Sequence, residues 1–124
     1  MRAYNVAATA VTLGVSPKWV DNVLSHHRVA GVLNQKQGIQ RRVTPVGLLT
    51  LALALALQRS LKVPISRALE VSARLIVAEG GEVKLENAIT LRADLGSISH
   101  EVNARLDHAL EITPIPRRGR PSQK

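Results

Sequence analysis

The sequence predicts a mostly α-helical chain carrying two short β-hairpins. Three observations predict it. Apolar residues recur three and four apart over long stretches. Two of those stretches open on a capping side chain followed by proline, Ser16-Pro17 and Thr44-Pro45. Two other segments, residues 28–43 and 83–94, alternate in polarity around Gly or Asn turns. A length of 124 residues suits one domain or one and a half, and an apolar content of 45% is enough to build a core. With no Phe, one Trp and one Tyr, that core must be aliphatic.

Tyr4 to Val6 reads as a short extended lead-in, with Asn5 placed to cap a first helix over about Val6 to Leu13. Gly14 follows, where a chain leaving a helix usually needs a left-handed residue. Leu13 and Val15 flank it and can seal the corner, and the small Ala10 permits a close crossing. The second helix runs from about Pro17 to Ser25, with Val20 and Val23 on its inner face. Arg28 to Val43, with Gly31, Asn34 and Gly38, reads as a hairpin whose return strand lies near Ile39 to Val43. Pro45 to about Leu61 is a third helix. Its Leu-Ala alternation has a strand-like period, but alanine is the best helix former and a poor strand former. Lys62-Val63-Pro64 breaks it, and Pro64 to about Ala78 is a fourth helix with Ile65, Ala68, Leu69, Ser72 and Leu75 on one face. Beyond the Gly80-Gly81 turn, Val83 to Glu86 and Ile89 to Asp94 alternate as strands joined at Asn87-Ala88. A last helix places Ile98, Val102, Leu106 and Ala109 on one face.

Val6 to Ser25 has the pattern of a helix-turn-helix, the unit that lays a short second helix in the major groove of DNA. Plain helical hairpins share such small-glycine-apolar corners. The charge balance supports the DNA reading: 17 Lys and Arg against 9 Asp and Glu give +8, a balance suited to a polyanionic partner. An acidic protein or an anionic membrane surface would also suit it. The scarcity of aromatics argues against single-strand binders, which stack bases on aromatic platforms.

These residues carry a resemblance. Tyr4-Asn5-Val6 looks like a lead-in strand, and Ala10, Leu13-Gly14-Val15 and Ser16 like a first corner. Gly38 to Thr44 looks like the return strand of a wing, and Pro64 to Glu70 occupies the place of a fourth helix. Residues 4–77 thus resemble the DNA-binding domain of the MerR family. The resemblance implies a winged helix-turn-helix with a small β-hairpin wing over residues 1–78. A short hairpin-plus-helix element follows over 79–112, and a basic, disordered tail over 113–124. Too small to close its own core, the 79–112 element must pack on the first domain, on a second copy or on another protein. A homodimer is the natural expectation, because helix-turn-helix proteins commonly read paired half-sites.

With Val20, Val23 and Leu24 facing inward, the outer face of the second helix carries Pro17, Lys18, Asp21, Asn22 and Ser25. Lys18 can reach a phosphate or a guanine, and Asn22 has the donor–acceptor fork that matches adenine. Asp21 would repel phosphate unless it accepts a hydrogen bond from cytosine or pairs with Arg28 or Lys18; otherwise it is an ordinary solvated carboxylate. Trp19 lies at the border of the faces and suits packing better than DNA contact. Arg41 and Arg42 are adjacent on the return strand, so they point to opposite sides and only one faces the DNA backbone. Lys36 and Gln37 lie near the hairpin tip. Within Pro114 to Lys124, the core Arg118-Gly119-Arg120-Pro121 looks like an AT-hook, whose arginines splay along the narrow minor groove of A·T-rich DNA. A nonspecific basic tail would share the composition. The DNA-binding set is therefore Ser16, Pro17, Lys18, Asn22, Ser25, Arg28, Lys36, Arg41 and Arg42, with Arg117, Arg118, Gly119 and Arg120 in the tail.

No catalytic set emerges, and no cofactor or metal is expected. There is no cysteine for a disulfide, a thiol nucleophile or a thiolate zinc site. His26, His27, His100 and His108 would need to converge with Glu101 or Asp107 to hold a metal, and their spacing does not require it. Met1 to Ala10 has no signal-peptide pattern, and the apolar run Val46 to Leu57, about twelve residues, is short of the ~20 that cross a bilayer. The expectation is a bacterial, cytoplasmic, nucleoid-associated regulator of transcription, a repressor acting as a dimer on double-stranded DNA. Two alternatives stay open: an antitoxin-type autorepressor holding a toxin-like partner through 79–112, and an architectural or phage DNA-binding factor.

Overall fold

The computed structural model describes residues 2–36, 41–86 and 88–112. Among the described residues, five α-helices and two small antiparallel hairpins follow in the order α1 (Val6–Leu13), α2 (Pro17–His26), β1 (Val32–Leu33), β2 (Arg42–Val43), α3 (Pro45–Leu61), α4 (Ile65–Val77), β3 (Glu82–Glu86), β4 (Ile89–Arg92) and α5 (Leu95–Ile112). A 3-10 turn, Glu79–Gly81, joins α4 to β3.

Local chemistry sets the helix boundaries. The Asn5 side chain accepts from the Ala8 N–H at 2.8 Å, Ser16 from Trp19 at 3.1 Å and Thr44 from Gly47 at 3.2 Å. Each satisfies a donor that a helix start leaves without a partner. Gly14 takes the left-handed conformation at φ 72°, and the Val15 N–H returns to the Ala10 carbonyl at 3.0 Å, closing α1 before α2 begins. Some boundaries move from the sequence expectation. Pro64 sits outside α4 as its extended cap residue. β4 ends at Arg92 because the Asp94 carboxylate accepts from the Ser97 N–H at 3.0 Å and opens α5.

The Leu-Ala run of α3 forms the central helix, with Leu48, Leu51, Leu53, Ala54 and Leu55 all buried. A helix apolar on most of its circumference belongs between neighbours, and α3 lies against α1, α4 and α5. One core joins Leu13 of α1 and Val20, Val23 and Leu24 of α2 to Leu48, Leu51 and Leu55 of α3, and to Val102 and Leu106 of α5. A second gathers Leu53, Val71, Leu75 and Val83, which seats the β3–β4 hairpin on α3 and α4. Of the three surfaces open to residues 79–112, the fold thus uses the chain's own: α5 lies along α1 and α3.

In the first hairpin, Val32 pairs with Val43 and Leu33 with Arg42. Tyr4 adds a bridge on the other side of β2, exchanging two 2.8 Å hydrogen bonds with Val43. The hairpin therefore hangs on the chain just ahead of α1. Its base is pinned to α3 as well. Gly31, at φ 86°, approaches Gly47 so closely that a Cβ on either would fall within 2.3–2.6 Å of the other's backbone. The Gly31 carbonyl accepts from both the N–H and the hydroxyl of Thr44, at 2.9 and 2.6 Å.

Candidate nucleic-acid interface

α2 is ten residues long, about 15 Å at 1.5 Å per residue. Its inner face is Val20, Val23 and Leu24, all at or below 5% exposure. Pro17, Lys18, Asp21, Asn22 and Ser25 are all exposed on the opposite side, with Ser16 just ahead of them. Trp19 lies between the faces, half-buried against the core. Arg28 and Lys36 are exposed beyond the helix end, and Arg42 is half-buried on β2.

Polar contacts hold α2 against the hairpin. Gln35 plugs the C-terminal end of the helix. Its amide nitrogen donates to the carbonyls of Leu24, at 2.9 Å, and His27, while its amide oxygen accepts from the Val29 N–H at 3.3 Å. Carbonyls at a helix end otherwise lack intrahelical partners. Arg41 completes the tie. Its Nε donates to the Gln35 carbonyl at 2.7 Å, its Nη1 to Asp21 Oδ1 at 3.1 Å and its Nη2 to Ser25 Oγ at 3.1 Å.

Arg41 is 9% exposed, so it is not the outward arginine of the Arg41-Arg42 pair. Its guanidinium is spent on α2 and on Gln35, which makes Arg41 a brace between them. Strand alternation requires one of the two to turn inward, and Arg41 shares its side with the buried Val43, two positions on. Ser25 remains exposed but its hydroxyl accepts from Arg41. Asp21 is paired with neither Arg28 nor Lys18 but with Arg41. Gln35, absent from the sequence-derived set, had no local signal: its partners are six to eleven positions away. Gln37 and the tail residues Arg117, Arg118, Gly119 and Arg120 lie outside the described residues.

Charge is unevenly divided along the chain. Residues 1–78 hold ten Lys and Arg against two Asp and Glu, whereas 79–112 hold three against seven. Both acids of the first part are in ion pairs, Asp21 with Arg41 and Glu70 with Arg67. Lys18, Arg28, Lys36 and Arg42 have no acidic partner among the described residues. No three His, Asp or Glu side chains among the described residues are arranged to hold a metal ion. No described helix is long and apolar enough to cross a membrane.

Comparison of the chain with protein-family models, with curated proteins and with solved structures found no match.

Proposed function

We propose that this chain is a sequence-specific double-stranded DNA-binding protein. In this reading α1 and α2 form a helix-turn-helix similar to that of the MerR family, and the β1–β2 hairpin is its wing. The observation that carries the reading is the α2 face. A capped, ten-residue helix turns Lys18 and Asn22 outward and is hydrogen-bonded through Arg41 to the hairpin, whose Lys36 and Arg42 have no acidic partner among the described residues.

The dimensions suit the role. A helix fits the major groove, about 12 Å wide, and Lys18 and Asn22 have donors for guanine and adenine edges. Lys36 and Arg42 on the hairpin would meet the flanking backbone, where cations supply affinity but no sequence information. The role is that of a small bacterial transcriptional repressor. Paired half-sites would require a homodimer. Because the apolar stripe of α5 is used inside the chain, two copies would meet through another surface.

Selection of bound fragments from a pool of random duplexes tests the reading. Enrichment of a defined site is expected; recovery of unbiased sequence would refute it.

A further inference from the structure

Asp21 is the one acid on the face that would enter the groove. A lone carboxylate there would be driven away by phosphate. The structure removes that objection. Arg41 Nη1 lies 3.1 Å from Oδ1, and the arginine is itself fixed by Gln35 and Ser25. The pair carries no net charge, and one carboxylate oxygen is oriented by a guanidinium held by two further hydrogen bonds. The Asp21 side chain is nonetheless 51% exposed, and Oδ2 has no partner among the described residues. It sits one residue before Asn22 and three after Lys18, within the outward stripe.

We propose that Asp21 is a specificity-determining residue that accepts a hydrogen bond from the amino group of a cytosine in the major groove, with Arg41 as its positioning residue. An acceptor-only group suits cytosine, whose major-groove edge offers the N4 donor; guanine and thymine present acceptors there and would be repelled, and adenine sets its N7 acceptor beside its N6 donor. The inference rests on the proposed DNA binding.

The test is the same random-duplex selection, carried out with the parent protein, Asp21→Asn and Asp21→Ala, with the thermal unfolding of each recorded. The parent should enrich a site with a cytosine fixed at one position. Asp21→Asn keeps an oxygen for Arg41 but adds a donor, so it should change the preferred base at that position alone. Asp21→Ala should cut discrimination there about tenfold, leaving the other positions intact. A parent site with no cytosine that responds to Asp21 would overturn the inference. So would uniform weakening at every position with a lowered melting temperature, the signature of a strut. A parent that enriches nothing would instead overturn the DNA-binding reading, and this inference with it.

Discussion

Replacing Arg41 by methionine keeps most of the apolar stem and removes the guanidinium. Two of the lost contacts, to the Gln35 carbonyl and to Ser25 Oγ, are hydrogen bonds each worth about 1 kcal/mol. The third, to the half-exposed Asp21, is an ion pair worth at most about 1 kcal/mol. Together they put the destabilisation at about 2–3 kcal/mol. At roughly 4 °C per kcal/mol for a chain of this size, the melting temperature should fall by about 10 °C. DNA binding should weaken because α2 and the hairpin lose their tie. In an Asp21→Asn background, where no carboxylate is left bare, the salt dependence of that binding should not change, since a buried brace releases no counterion from a phosphate. Thermal denaturation and affinity measured across a salt series read both effects. An unchanged melting temperature with the salt slope reduced by about 0.9 would refute the reasoning, because that is the signature of a phosphate contact.

Three further outcomes follow from the packing and the caps. Leu106→Ala empties a site 5% exposed between α5 and the α1–α3 core and should cost about 2–5 kcal/mol in chemical denaturation. Gly47→Ala would place a methyl 2.6 Å from the Gly31 carbonyl oxygen; the strain should destabilise by about 1–3 kcal/mol, whereas a stabilised variant would show that the contact relaxes. The Ser97 backbone N–H, then the Ser97 hydroxyl, with help from Arg92 and the Gly96 N–H, hold the Asp94 carboxyl below the usual aspartate range. A lowered native pKa means that its stabilisation is present above the unfolded value and lost as pH falls through the native one. Asp94→Ala should therefore lower the melting temperature at neutral pH and lose its effect in acid, and an effect that grows on acidification would contradict the assignment.

What could be read from the sequence was local. Asn5, Ser16 and Thr44 each cap the helix they precede, and Gly14 takes the left-handed turn, because these choices depend on two or three neighbouring residues. The Leu-Ala run reads as helix because alanine's propensity outweighs an apparent two-residue period. The outward stripe of α2 follows from Val20, Val23 and Leu24 alone. What the sequence concealed was long-range. Nothing near Asp21 points to Arg41, and nothing near Gln35 marks it as the plug at the end of α2. The seating of α5 is concealed for the same reason. Its stripe of Ile98, Val102, Leu106 and Ala109 is legible, but a stripe says only that something covers it. The α1 and α3 surfaces that do so lie far back in the chain, beyond α4 and the second hairpin.

The most direct test of the central claim is the affinity of Lys18→Ala and Asn22→Ala for the selected duplex, measured beside the parent over a range of salt. Both residues are exposed on α2 and neither supports the core, so both variants should keep the parental melting temperature. Lys18→Ala should weaken binding and, where the lysine meets a phosphate, reduce the salt slope by about 0.9. Asn22→Ala should lose about 1–3 kcal/mol of discrimination at a single base pair. Folded variants that bind the selected site as tightly and as selectively as the parent would show that α2 does not read DNA.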